Sequence, residues 1–240
     1  MAAAMIPAAD EKQLTSIQAQ DIREWLRTAD PAAAVGAGYQ ASIHLYRGPA
    51  GEFVIKEALG SALRRRFSEA QVRREARIYR RLRGVPGVPE CFGLLDGRYL
   101  VLQYVPGDSL RRGEHAIDDR ERFFTRLLTT LRGMHDAGVA HGDLKRKDNI
   151  LVGPDQAPFV IDFGIAVTAD DGRGFVFETL KQADRNAWIK HKYQGRTAHL
   201  SAEDRAIYRP MALEKVARVI RSVWQTLTLR RWRKRHRRSA

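Results

Sequence analysis

The sequence has few of the features that mark secreted or membrane-spanning proteins. Its 240 residues include one cysteine, Cys91, which permits no internal disulfide and fits a reducing compartment. No stretch approaches the ~18 consecutive apolar residues of a membrane-spanning helix. Residues 1–10 have neither a basic segment nor the apolar run of a signal peptide. We therefore expect a cytoplasmic protein in which Cys91 is a small buried side chain.

Acidic residues are absent from the C-terminal end. After Val216 the chain has nine Arg and Lys and no Asp or Glu, in a sequence of net charge +14. Without these nine the charge is about +5, an ordinary value for a soluble domain. Residues 211–227 place apolar side chains on one predicted helical face, and a basic-aromatic run follows. This helix either packs on the domain with a solvated tail or lies on the anionic inner face of a membrane. Nucleic acid is the least favoured partner.

One loop and the apolar segments after it organise the sequence. The loop reads VAHGDLKRKDNILV and contains Asp143 and Asn149, and Asp162 opens the triplet Asp-Phe-Gly thirteen positions later. The apolar runs 150–152 and 159–161 predict two buried strands between them. A hairpin of these strands would bring the three side chains together. Phosphoryl transfer from ATP needs such a set: one carboxylate to orient the attacking hydroxyl, and a carboxylate with an amide to hold Mg²⁺.

This order of residues resembles the catalytic loop and metal site of the protein-kinase-like superfamily. The resemblance implies an α+β, two-lobed kinase-like fold, with an antiparallel N-lobe sheet and a reduced helical C-lobe. ATP and Mg²⁺ would be the cofactors. Asp143 would orient the acceptor hydroxyl, and Lys145 would neutralise charge on the transferred phosphoryl group. Asn149 and Asp162 would ligate Mg²⁺, while His141 is expected to be a structural brace.

Residues upstream complete the nucleotide site that the resemblance implies. Gly36 and Gly38 head a predicted hairpin and would let backbone N–H groups approach phosphates. Lys56 ends a strand in FVIKE and matches the lysine that meets the α- and β-phosphates. Glu75 lies on the inner face of a helix predicted over 68–82. Its carboxylate would hold the Lys56 ammonium in place.

The segment YLVLQYVPGDSL resembles the kinase hinge. Leu102 would stand at the gate, and the backbone of Gln103, Tyr104 and Val105 would bind adenine.

Periodicity predicts three further helices, over 10–28, 122–136 and 181–192. The second carries a core stripe and ends at Gly138. The third places Asp184 where it would brace the catalytic loop.

Three positions depart from the kinase pattern. Ala41 replaces the third glycine of the phosphate loop. Gly142 replaces the arginine of H-R-D, so that no basic residue there could pair with an activation-loop phosphate, and we predict a kinase that is not switched in that way. Asn149 follows Asp143 by six positions instead of five, and Asp148 holds the nominal place. We assign the metal to Asn149, because the Ile-Leu-Val after it matches the kinase register. The extra residue should bulge just before Asp148.

After Gly164 the sequence contains no A-P-E motif, and the remaining residues are too few for the usual peptide-docking lobe. A C-terminal part this short resembles that of the bacterial lipopolysaccharide core-sugar (Kdo/heptose) kinases and the RIO-type kinases. The predicted activity is transfer of the ATP γ-phosphate to a hydroxyl, with a lipid-linked lipopolysaccharide sugar as acceptor at the cytoplasmic face of the membrane. A protein Ser/Thr acceptor is the alternative that Lys145 favours. A non-catalytic pseudokinase that binds a partner is the rival from another class.

Four segments are predicted. They are a helical extension over 1–30, an N-lobe over 31–105, a reduced C-lobe over 106–210 and an amphipathic helix with its basic tail over 211–240.

Overall fold

Among the described residues, most strand residues lie in the first half of the chain, and helices dominate the second half. The computed structural model describes residues 13–28, 36–37, 41–59, 62–171 and 174–210. The chain divides into two units, of which the first is Met1–Gly84 with Pro89–Tyr104 and the second is Val85–Val88 with Val105–Ala240. Gly38 and the predicted segment 211–240 lie outside the described residues. The four predicted segment boundaries stay predictions.

The first unit is built on a five-stranded antiparallel sheet in the order β1-β2-β3-β5-β4. Its strands are β1 Gly36–Ala37, β2 Ala41–Gly48, β3 Gly51–Ala58, β4 Cys91–Leu95 and β5 Tyr99–Gln103. The predicted hairpin forms, because β2 and β3 pair up to Gly48 and Gly51 around a two-residue turn. Gly51 has a φ of 118°, a conformation that a residue with a side chain rarely adopts.

Two helices accompany this sheet, α1 Ser16–Thr28 and α2 Ala62–Arg81. Ile22 of α1 is buried in one cluster with Phe53 and Ile55 of β3. Successive strand residues point to opposite faces, so Lys56 of β3 points away from α1 and toward α2. Helix α1 begins later than the predicted start at residue 10, and 13–15 are not helical. Helix α2 begins six residues before its predicted start, because no Gly or Pro interrupts the earlier residues.

The second unit is mainly helical. Within its described residues the helices are α3 Leu110–Gly113, α4 Arg120–Asp136, α5 Gly174–Lys192 and α6 Ala202–Ile207. Helix α4 buries the predicted stripe from Phe123 to Met134 and begins two residues early, because the Asp119 side chain caps it by accepting the Arg122 N–H. Helix α5 begins seven residues before the predicted position. No helix among the described residues is long and apolar enough to cross a membrane.

Short strands connect these helices and carry the predicted motif. Strands β6 Asp108–Ser109, β8 Ile150–Val152 and β9 Pro158–Val160 form one antiparallel sheet, and β7 Val139–Ala140 pairs with β10 Val167–Thr168. The predicted strand pair is therefore confirmed, with the second strand shifted by one residue.

Candidate active site

The predicted lysine and glutamate of the first unit form an ion pair. Lys56 Nζ lies 2.9 Å from Glu75 Oε1 and 2.7 Å from Oε2. The Lys56 side chain is 16% exposed and that of Glu75 only 3%. A carboxylate this deeply buried is stable only when it is paired, so β3 and α2 hold the ammonium at a defined position. Its role in binding phosphates stays a prediction.

Part of the predicted adenine-binding segment already forms hydrogen bonds with other residues of the protein. The Gln103 N–H donates to the Glu90 carbonyl at 2.8 Å, and Gln103 Oε1 accepts the Glu90 N–H at 3.1 Å. That Gln103 N–H is therefore not available to adenine, which corrects the expectation for this one group. Tyr104 accepts a hydrogen bond from Arg47 through its hydroxyl at 3.1 Å. Leu102 is buried, as expected of a gate residue.

In the second unit, residues 141–149 form the loop that we call the catalytic loop. The His141 ring is completely buried at its start. Its Nδ1 accepts the Asp143 N–H at 3.2 Å, and its Nε2 lies 2.9 Å from the Ile161 carbonyl. In these contacts Nδ1 is the acceptor, and Nε2 is the ring nitrogen that faces a carbonyl. His141 thus joins the catalytic loop to the residue before Asp162, as the predicted brace requires.

Asp184 of α5 holds the start of the catalytic loop from the other side. Its carboxylate accepts the backbone N–H groups of His141 at 2.8 Å and Gly142 at 2.9 Å, and it contacts His135 Nε2 at 3.2 Å. The Asp184 side chain is 1% exposed. The predicted brace is confirmed. Gly142 has a φ of 79°, and a Cβ there would lie 3.1 Å from Leu180. The arginine of H-R-D would therefore strain this backbone.

A short 3₁₀ turn, Lys147–Asn149, takes up the extra residue of the catalytic loop. It sends Asn149 inward, where the residue is 4% exposed and its Nδ2 donates to the Asp143 carbonyl at 3.1 Å. This contact leaves the amide oxygen to accept a cation. Asp148 points outward to the Nε of Arg111, at 2.8 and 3.0 Å. That hydrogen bond to Arg111 lowers the pKa of the Asp148 carboxyl.

Further residues hold the catalytic loop in place, and the sequence did not reveal them. Glu114 forms ion pairs with Lys147 and with Arg120, the latter at 3.1 Å. His191 Nε2 contacts the Leu144 carbonyl at 2.7 Å. Neither Glu114 nor Arg111 belongs to a pattern that predicts a partner more than thirty positions away. His191 could have been found, since it stands seven residues after Asp184 and therefore on the same face of α5.

The two predicted acidic residues of the site differ in their surroundings. Burial raises the pKa of the Asp143 carboxyl, and nearby cations, among them Arg146 at 4.0 Å, oppose this rise. Asp162 has a φ of 65°, a left-handed conformation that costs energy for a residue other than glycine. Such strain persists where the surrounding structure imposes it. Lys145 is exposed and has no hydrogen-bond partner within the described part of the chain.

The donor atoms fit Mg²⁺ held together with a nucleotide. The Ile161 N–H donates to the Asn149 carbonyl at 3.0 Å, so the backbone places Asp162 directly beside Asn149. Their carboxylate and amide oxygens are hard ligands of the kind that Mg²⁺ prefers. No group of three or more His, Cys, Asp or Glu among the described residues is arranged to hold a metal. A site with one carboxylate and one amide therefore relies on phosphate oxygens and water for its other ligands.

Comparison with known proteins identifies the family. A family model for the protein kinase domain matches residues 32–183. Calcium-dependent protein kinase 29 of Arabidopsis thaliana is 28% identical over 132 residues, which are 51% of this chain and 25% of that protein. CBL-interacting protein kinase 16 of Oryza sativa subsp. japonica is 30% identical over 148 residues, 58% of this chain and 32% of that protein. The chain thus spans about a third or less of the length of these relatives.

The fold has a counterpart among solved structures. The structure of a Rio2 kinase-ADP/Mg2+-phosphoaspartate complex from Chaetomium thermophilum is similar with a TM-score of 0.55 and 16% identity, covering 86% of this chain and 74% of that one. At this identity the likeness concerns the fold alone, and it confirms the predicted kinase-like α+β architecture. The match to the family model, which covers more than half of the sequence, shows that the chain belongs to the protein kinase domain family.

Proposed function

We propose that this protein is a phosphotransferase that moves the γ-phosphate of ATP to a hydroxyl group and requires Mg²⁺. The observation that carries the proposal is the orientation of Asn149. This buried side chain donates its Nδ2 to the Asp143 carbonyl, which leaves its oxygen to accept a cation, and the Asn149 backbone carbonyl bonds the Ile161 N–H next to Asp162. Carboxylate and amide oxygens on two adjoining backbone segments are the ligands that Mg²⁺ prefers. The Lys56–Glu75 pair supplies the cation that phosphates need.

Each side chain of the site has a definite task in this reaction. Asp143 accepts the proton of the attacking hydroxyl, and its partial burial favours proton uptake by raising its pKa. Lys145 is exposed two residues later, where its ammonium offsets negative charge on the transferred group. Lys56 positions the phosphates. Mg²⁺, when bound through Asn149 and Asp162, neutralises charge on the phosphate oxygens.

The test is γ-phosphate release or transfer by the purified full-length chain, with and without Mg²⁺. Asp143→Asn should abolish turnover and leave nucleotide affinity nearly unchanged, since Asp143 acts on the acceptor. Asp136→Asn is a matched control, because Asp136 is an exposed residue at the end of α4. Equal residual rates for the wild type and Asp143→Asn would favour the non-catalytic pseudokinase.

The acceptor is a finer part of the proposal, and two candidates follow from different observations. A lipid-linked lipopolysaccharide sugar is favoured by the basic C-terminal end of the sequence, which would attract an anionic membrane surface. A protein serine or threonine is favoured by Lys145 and by the relatives, which are named as protein kinases. We propose the sugar as the first candidate, with the enzyme in the cytoplasm and in peripheral contact with the inner membrane face.

A direct competition separates the two acceptors. The chain is given labelled ATP with either a purified lipopolysaccharide core containing Kdo and heptose or a degenerate library of Ser/Thr peptides. Label in the sugar alone supports the first candidate, and label in peptides alone replaces it with a protein kinase. The Asp143→Asn variant must lose either signal, which excludes a contaminating kinase.

A further inference from the structure

A cavity of about 180 Å³ lies within the second unit, between α4, α5 and the residues at the end of α6. We call it the arginine cavity, and its walls include Leu128, Leu131, Arg132, His135, Arg185 and Arg209. It contains none of the residues assigned above to phosphoryl transfer. An engineered apolar cavity of about 150 Å³ already binds benzene, so this one is large enough for a ring-sized ligand.

Hydrogen bonds hold in place the wall of the arginine cavity that is formed by the residues at the end of α6. Gln182 Nε2 donates to the Ile207 carbonyl at 3.0 Å. Asn186 uses both ends of its amide on the backbone of Arg209, donating to the carbonyl at 2.7 Å and accepting the N–H at 3.2 Å. Asn186 is itself buried. The segment after α6 is therefore tied to α5, and the cavity exists without a ligand to shape it.

The chemistry of the walls selects an anion with an apolar body. Arg132, Arg185 and Arg209 come from three different segments, and none has a carboxylate partner within the described ranges. By contrast, Arg111 of the same unit is paired with an aspartate. Leu131 lines the same cavity and is buried. Guanidinium groups bind carboxylate and phosphate in bidentate geometry, and the leucine wall favours a small hydrocarbon portion.

His135 connects the arginine cavity to the catalytic loop. It lines the cavity, and its Nε2 lies 3.2 Å from the Asp184 carboxylate that also holds the N–H groups of His141 and Gly142. A ligand that touches His135 and bridges α4 to α5 would stabilise the helix pair from which this support comes. We propose that the arginine cavity binds a small organic anion, a phosphate or carboxylate on an apolar body, and that its occupancy stabilises the start of the catalytic loop.

The first test measures binding to the full-length chain by titration calorimetry, with saturating ADP and Mg²⁺ present so that the nucleotide site does not contribute. Phenyl phosphate is the probe, and inorganic phosphate and phenol are its two halves. We expect saturable 1:1 binding of phenyl phosphate, roughly tenfold tighter than of either half. Arg185→Ala, or Arg209→Ala if the first variant does not fold, should weaken binding by roughly tenfold. Arg126→Ala, an exposed arginine of α4 outside the cavity, is the matched control.

The second test measures hydrogen exchange of the His141 and Gly142 amides. Phenyl phosphate should slow this exchange in the wild type and in Arg126→Ala, but not in Arg185→Ala. Equal affinity of the Arg185 and Arg126 variants, or no saturable binding, overturns the site. Binding that leaves the exchange of these amides unchanged overturns the link to the catalytic loop. Both readouts are independent of phosphate transfer, so their failure is distinct from failure of the proposed activity.

Discussion

The register of the catalytic loop leads to a specific prediction about which side chain binds the metal. Two neighbouring side chains, Asp148 and Asn149, compete for one metal position, and the structure separates them by direction. Asn149 is buried against the Asp143 carbonyl, whereas the Asp148 side chain is 39% exposed and faces Arg111. Asn149→Ala should therefore abolish Mg²⁺-dependent activity, while Asp148→Ala should have a small effect.

The expected sizes follow from these surroundings. Removal of groups that merely orient metal ligands weakens metal affinity by about 10- to 100-fold, and loss of the Asn149 oxygen should do at least as much. The lost hydrogen bond to Asp143 should cost a further ~0.5–1.5 kcal/mol of folding stability. The Asp148 side chain forms an exposed ion pair with Arg111, of a kind that often contributes nothing measurable. Its removal should change Mg²⁺ affinity by no more than roughly a few-fold.

The assay is Mg²⁺-dependent binding of an ATP analogue, measured by calorimetry at several Mg²⁺ concentrations. Asn149→Asp is the informative additional variant, because it keeps an oxygen ligand but loses the Nδ2 donor. It should bind Mg²⁺ nearly as well as the wild type while losing part of the stability. If Asp148→Ala weakens metal-dependent binding more than Asn149→Ala does, the assignment of the metal to Asn149 is wrong.

Four other predictions test separate parts of the molecule. Asp184→Ala should lower the free energy of unfolding in urea by about 3–5 kcal/mol, because two buried N–H groups lose a charged acceptor; a loss under about 1 kcal/mol would contradict the brace. Glu75→Gln should weaken ATP affinity roughly tenfold in equilibrium binding. Unchanged affinity would contradict the role of Lys56 in binding the phosphates. Asp143 acts only when ionised, and burial raises its pKa. As the pH falls, the rate should therefore decline at a higher pH than it would with an exposed aspartate in this role, and a decline only near pH ~4 would contradict this. Deleting residues 229–240 should abolish salt-sensitive binding to anionic vesicles and spare ATP binding, and vesicle binding that survives deletion would remove the membrane from the proposal.

Much of this protein could be predicted from local patterns in its sequence. The alternating apolar residues of β2 and β3, the stripe of α4 and the strand pair around Asn149 and Asp162 all form as expected, because side-chain periodicity is read over a few neighbouring positions. The pairing of Lys56 with Glu75 and the support from Asp184 were also predicted. Both predictions depend on the order and spacing of these residues, which the kinase resemblance allowed us to interpret.

Tertiary structure decided the features that depend on distant partners. Arg111 draws Asp148 outward and Glu114 holds Lys147, so that the extra residue becomes a 3₁₀ turn that directs Asn149 inward. The hydrogen bond from the Gln103 N–H to the Glu90 carbonyl likewise appears only in the fold. Local sequence specifies the preference of a segment for helix or strand. It does not specify which distant side chain satisfies a buried or charged group, because that choice depends on how the elements pack.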